Sequence, residues 1–171
     1  MRRKDREITD THEKLGIVGR CKVCRLAMIG DGDAAEGGKN PEPYLVPLNF
    51  GYEYREGDGK EGVLTLHFHS ALEGRKIAIL KNHPGPVCFE MDGAHRLLET
   101  PQGCSYSFSY ESVIGKGAVE FIEDREEKIR SLNLLLRHQS GKDQDFAIDD
   151  GALSKTAVFR LRAETWSAKR H

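Results

Sequence analysis

From Tyr44 to Tyr54 every second residue is aromatic or aliphatic. Tyr44, Val46, Leu48, Phe50, Tyr52 and Tyr54 fall on one side of an extended chain, the period of a β-strand with one buried face. The other side carries Leu45, Pro47, Asn49, Gly51 and Glu53. Pro47 has no amide hydrogen for a ladder, which confines this strand to a sheet edge or bends it there. A bend, an amide and a glycine on one side leave room for something flat. Residues 63–69 repeat the alternation, with Leu64, Leu66 and Phe68 inward and Val63, Thr65, His67 and His69 on the reverse.

The remaining signals sort into short strands with hairpin-length connections and a few capped helices. Asp10 with Glu13 caps an opening helix that Gly19 ends, and Asp124 with Glu127 caps another that stops near Gly141. Ile129, Leu132 and Leu136 form the apolar face of the second. Ser70 with Glu73 makes an S-x-x-E capping box, which predicts a helix over 71–80 that stops near His83-Pro84. Strands are predicted at 24–29, 87–92, 106–114 and 118–122, the last two joined through a bulge at Gly115-Lys116-Gly117. Residues 142–155 form an irregular connector, and Trp166 closes a final strand from 156. With no alternation of strand and helix, a parallel doubly wound sheet is not expected. The expectation is mainly β with flanking helices: an antiparallel barrel built as one domain over 1–171, with residues 1–20 as an N-terminal helical segment.

Charge narrows the function classes. The 26 basic and 27 acidic residues leave a net charge of −1, so no nucleic-acid surface is expected. No apolar run approaches the roughly 20 residues that span a bilayer, and the basic start, Met1 to Arg6, lacks the apolar stretch of a signal peptide; the expected compartment is the cytoplasm, with no membrane partner. Cys21 and Cys24 form a C-x-x-C, but no second pair follows at a zinc-site spacing, so two buried or partly exposed thiols is the better reading. Asp31-x-Asp33 lacks the oxygen ligand and glycine of a calcium loop, having Ala35 and Glu36 there. His67 and His69 project to one side of a strand as a metal pair could, yet no third ligand is identifiable. No metal is expected.

The chemistry concentrates in 67–76, His67-Phe68-His69-Ser70-Ala71-Leu72-Glu73-Gly74-Arg75-Lys76. A strand runs into a helix whose first amides are unpaired and carry partial positive charge, an arrangement that attracts phosphate. Arg75 and Lys76 add a bidentate fork and a compact cation. A lone Arg-Lys on a helix is usually a solvated pair; here it follows a strand already carrying two histidines and a threonine. Of the histidines, His69 is nearer the helix start. Trp166 either caps the core or stacks on a ligand.

Three segments in order resemble the pyridoxamine 5′-phosphate oxidase-like FMN-binding split-barrel superfamily, nearest to the nitroimidazole-resistance (Nim) related proteins. They are Pro43-Tyr44-Leu45-Val46-Pro47-Leu48-Asn49-Phe50, the stretch from His67 to Lys76, and Tyr110-Glu111-Ser112-Val113-Ile114-x-x-Gly117. The resemblance implies a six-stranded antiparallel split β-barrel and a homodimer with FMN at the subunit interface. By position, Val46, Pro47, Leu48 and Asn49 would line the flavin ring, and His67, Phe68, His69 and Ser70 would border the ring and ribityl chain. Arg75 and Lys76 would hold the phosphate, while Ser112 and Val113, with Trp166, would come from the partner chain. It also implies reduction of a nitro group on a small-molecule substrate, with His69 as the catalytic proton donor or ring hydrogen-bonding group. The true oxidases have an Arg-x-Val-Leu-Leu-Lys-like strand and an Arg-Leu-x-Pro-type ending; this chain has Tyr44 to Asn49 and Glu164 to Lys169 instead, so vitamin B6 oxidation is not expected. The alternative function is a non-catalytic flavin or haem carrier or sensor, with His67 and His69 as axial ligands in the haem version.

Overall fold

The computed structural model describes residues 3–31, 41–57, 62–83 and 85–171. The 32–40 connector with its Asp31-x-Asp33 pattern, most of the charged turn before residue 62 and Pro84 lie outside that description. Twelve named elements follow in order: β1 (Glu7–Ile8), α1 (Thr11–Arg20), β2 (Cys24–Asp31), β3 (Pro41–Leu48), β4 (Gly51–Arg55), β5 (Val63–Ala71), α2 (Arg75–Asn82), β6 (Val87–Leu98), β7 (Ser107–Ile122), α3 (Arg125–Ser140), α4 (Asp150–Ser154) and β8 (Thr156–Arg170).

All strands belong to one antiparallel sheet in the order β3-β2-β6-β7-β8-β5-β4, with β1 added on β8. The path begins with β3 and ends with β4, yet Asn49 and Phe50 alone connect those two strands. A sheet whose two edges are joined by two residues must curl round on itself, and this makes it a split barrel: closed by the chain, open in hydrogen bonding. Phe50, Phe68, Phe89, Phe159, Leu26, Leu64, Leu66, Met91 and Leu161 fill its interior with almost no exposure.

Among the described residues there are eight strands rather than six. The continuous alternation over 44–54 conceals a corner, because an alternating pattern looks the same whether the chain continues straight or turns onto another edge. Pro47 does lie on an edge strand, since among the described residues β3 pairs with β2 alone. The bulge is present too, but its extra residue is Glu164 on β8: Lys116 pairs with Thr165 and Gly117 with Ala163. Trp166 does not close the last strand, which continues to Arg170.

Asp10 and Asp124 cap α1 and α3 as expected, each accepting from the amide three residues on, at 2.8 and 2.9 Å. Gly141 ends α3 with φ of 71°. The capping box at Ser70 does not form. Pairing of Ser70 with Ala157 and Ala71 with Thr156 carries β5 past it, and the helix begins after Gly74 (φ 120°), without a side-chain cap. Arg75 and Lys76 are consequently the first two residues of α2 rather than residues beyond its first turn.

The outer face of the barrel is divided. Over β4, β5 and the first half of β8, α3 covers it, and Thr65, His67, Ile122, Leu135, Leu153 of α4 and Val158 are buried. Over β3, β2, β6, β7 and the end of β8 the outward residues Leu45, Ala27, Cys88, Ile114 and Thr165 are exposed.

Candidate functional site

The start of α2 is where the predicted phosphate-binding residues meet. The first acceptor bond within the helix runs from the Ala78 amide to Gly74 O at 3.0 Å, so the three amides before it have no acceptor in the helix. Lys76 is half-buried, its ammonium pushed below its ordinary pKa by that burial. Among the described residues no carboxylate forms an ion pair with it. His69, at the end of β5, is held below the ordinary imidazole range, first by burial and then by the charge of Lys76; a group so placed is neutral at pH 7. A half-buried lysine at the start of a helix, near a histidine exposed at the end of β5, is an arrangement that favours an anion.

Arg75 is engaged differently. Its guanidinium forms an ion pair with Glu42 at the start of β3 and lies 5.0 Å from the centre of the Tyr44 ring. It fastens the start of α2 to the edge strand at Glu42 and Tyr44; Tyr44, Val46 and Leu48 form the inner side of that strand. Nothing in the sequence signals Glu42 as its partner, 33 residues away.

The strand residues divide by face. Pro47 and Asn49 are exposed on the outer side, while Val46 and Leu48 pack against the core. Gly51 leaves no room for a ligand: α3 fills that space, and a Cβ there would run into the backbone of Leu134 and Leu135. This corrects the expectation of a flat-ligand surface across Pro47, Asn49 and Gly51; it ends at Asn49.

His67 is also misplaced by the sequence reading. Its side chain is sealed beneath α3, with Nδ1 3.0 Å from Ser131 Oγ. Nε2 lies 3.3 Å from Glu53 Oε1, within ion-pair reach but without hydrogen-bond geometry. A ring without exposed surface cannot border a pocket or act with His69 as a second axial ligand. The side chains of Phe68 and Val113 are likewise buried in the core, whereas Ser70 and Ser112 are half-buried. Trp166 is half-buried beneath the Lys14 ammonium, 4.4 Å from its ring, and borders a cleft of about 340 Å³ with Cys88, Ile114, Lys116 and Thr165 on the uncovered outer face.

Cys21 and Cys24 are buried free thiols. Burial raises both, Cys21 to about 11, so neither presents a thiolate at neutral pH. Among the described residues no cluster of three or more His, Cys, Asp or Glu side chains could hold a metal, and no helix is long and apolar enough to cross a membrane.

Residues 10–170 match the pattern of the family described as pyridoxamine 5′-phosphate oxidase; among curated proteins none matches. Of the solved structures, a candidate 5-nitroimidazole antibiotic resistance protein from Bacteroides thetaiotaomicron is 34% identical, with a TM-score of 0.73 over 96% of this chain and 86% of that one. An FAD- and haem-binding protein from Mycobacterium smegmatis has the same TM-score at 20% identity, over 96% and 73% of the two chains. A flavocytochrome from Azotobacter vinelandii also scores 0.73, at 18% identity, over 100% and 72%. At those two identities the likeness is one of fold.

Proposed function

The chain belongs to the pyridoxamine 5′-phosphate oxidase family, and on that premise we propose that it binds FMN between two copies of itself and acts as a flavin-dependent reductase of a small molecule. Nitroaromatic compounds are the candidate substrate class, since a relative 34% identical is described by resistance to a nitroimidazole. The observation that carries the cofactor half is Lys76: half-buried, without an ion-pair partner among the described residues, and at the free amides of α2. A phosphate there would supply the missing counter-charge.

The residues fit such a group in part. Lys76 and the amides of Arg75, Lys76 and Ile77 would hold the phosphate, and Arg75, tied to Glu42, would keep the helix against β3. Val46 and Leu48 from the inner side, with Pro47 and Asn49 at the edge, would bound the ring; Ser112 stands on the uncovered outer face, where a second copy could present it, while Trp166, opposite Gly115, packs against the core from the inner side and only borders that face's cleft. FMN, when bound, supplies electrons in pairs. His69, neutral beside Lys76, can keep a proton on one ring nitrogen and donate it. Reduction of a nitro group to an amine takes six electrons and six protons and releases two waters, so it needs three successive pairs from a donor such as a reduced nicotinamide.

Titration of the protein with FMN, followed by quenching of flavin fluorescence, tests the binding. Lys76→Ala should weaken it by about 10- to 100-fold, the loss of one charge-assisted contact, and Arg75→Ala less, because Arg75 already has a carboxylate partner. Equal, negligible effects of both would overturn the phosphate site. His69→Gln should leave FMN affinity nearly unchanged while slowing reduction of a nitroaromatic substrate.

A further inference from the structure

Beyond Glu111 the β6–β7 hairpin leaves the barrel. β8 accompanies β7 only as far as Arg170 opposite Glu111, where the backbones of His171 and Tyr110 exchange two hydrogen bonds, of 2.9 and 3.2 Å. β2 pairs with β6 only at Cys88, Phe89 and Glu90. From there outward, among the described residues, the two strands pair solely with each other, at Arg96–Ser109, Leu97–Phe108 and Leu98–Ser107. A two-stranded ribbon is marginally stable in water by itself. This one nevertheless exposes Leu97 at 48% and Phe108 at 50%.

Its base contains a bulge. Gly93 pairs with Glu111 and Arg96 with Ser109, so β6 carries one residue more than β7, and Ala94 takes the left-handed conformation, φ 54°. One extra residue exchanges the two faces of everything that follows. Without it Arg96 would stand beside Phe108; with it Leu97 does, and His95 packs 5.9 Å from the Phe108 ring while its Nε2 lies 2.8 Å from Asp92. Phe108 shares the outward parity of Ser112 and Ile114 on β7. Leu97 and Phe108 therefore point to the same side as Ile114, Ile29 and Leu45, so five of the eight large hydrophobics exposed among the described residues belong to one sheet face. A non-glycine residue held at positive φ is a strained feature that needs a reason, and the re-aiming of Leu97 supplies one.

We infer that this arm is a clamp onto a second copy of the chain, with Leu97 and Phe108 buried on the partner. Two features favour a second copy over an unrelated protein. The face is balanced in charge, with Arg25 bridging Glu90 at 3.0 Å and Asp92 at 2.5 Å, and Lys116 and Lys169 beside them; a two-fold contact must be self-complementary, which a face of one sign cannot be. The chain also exposes 10674 Å², against about 8,400 Å² for a compact monomer of its size. An obligate subunit contact removes surface of that order. The inference rests on the dimer proposed above and not on its cofactor.

The test compares the wild-type chain with Leu97→Ser/Phe108→Ser and with a variant lacking Ala94, by sedimentation equilibrium over a wide concentration range. Both side chains are half exposed within one copy, so the circular dichroism spectrum of the double variant should be unchanged. The wild type should be dimeric, and both variants should raise the dissociation constant by about a hundredfold or more. A dimer whose constant the double variant leaves unchanged would overturn the clamp, as would a wild type that stays monomeric at every concentration. FMN titration of the same samples separates the two readings: a dimer weakened by the variants but blind to FMN sinks the flavin assignment alone, whereas FMN binding with unaltered dimerisation sinks the arm alone.

Discussion

His67 shows how far one buried residue can influence the whole chain. Burial, partly offset by the Glu53 carboxylate, holds its imidazole down at about 4, and Arg130 and Arg160 push in the same direction as burial. A neutral ring with hydrogen on Nε2 accepts from the Ser131 hydroxyl at Nδ1 and points that hydrogen toward Glu53, itself paired with Arg130. Unfolding releases the imidazole to its ordinary value near 6.5, so between pH 6.5 and 4 the unfolded chain binds more protons and stability falls as pH falls. The stability is fully present above pH 6.5, and roughly 3 kcal/mol is lost on descending to pH 4. Urea unfolding of His67→Gln should show a shallower loss across this window than the wild type; parallel curves would disprove the coupling. The alternation in 63–69 correctly gives the face on which His67 stands. It could not tell that α3, some 60 residues later, would seal that face, because period two reports sidedness and not what covers each side.

At the scale of elements, local signals were legible where nothing remote competed with them. Asp10, Asp124 and Gly141 mark helix ends through contacts within four residues, and those ends are where the sequence placed them. Ser70 carries an equally good local signal, yet its backbone joins the ladder with β8, and helix α2 waits for Gly74. A ladder bonding the chain to a distant strand outweighed a cap worth about 1 kcal/mol. For the candidate site, Arg75 and Lys76 were legible as a pair, but their different duties were not, since Glu42 comes from another strand. Gly51 is the position where elements meet most closely. Gly51→Ala would press a methyl group into the backbone of α3, and neither β4 nor the helix can yield without disturbing the barrel. The expected cost is about 1–3 kcal/mol, read as a lower urea midpoint with an unchanged slope; an unaffected midpoint would mean that α3 rides more loosely on β4 than the packing indicates.

For the whole molecule the decisive relation is between the barrel's seam and its bare half. The chain closes the barrel at Asn49-Phe50, so the edge strand β3 lies next to the seam while its other side pairs with β2 and leads onto the uncovered face. A ligand held by Lys76, beside the Arg75–Glu42 tie to β3, would thus lie close to the rim of the surface offered to a second copy. If that copy completes the cleft, the two equilibria are linked, and each ligand must strengthen the other by the same factor. FMN should then lower the dimer dissociation constant, and the apparent FMN affinity should rise with protein concentration until the dimer saturates. Lys76→Ala should abolish the effect of FMN on association while leaving the constant of the ligand-free dimer as it was, because Lys76 belongs to α2 and not to the outward residues of the bare face. Sedimentation with and without FMN, for both proteins, decides the matter: an FMN-binding dimer whose association is indifferent to FMN would place the flavin wholly within one copy and leave Ser112 and Trp166 without a part in its binding.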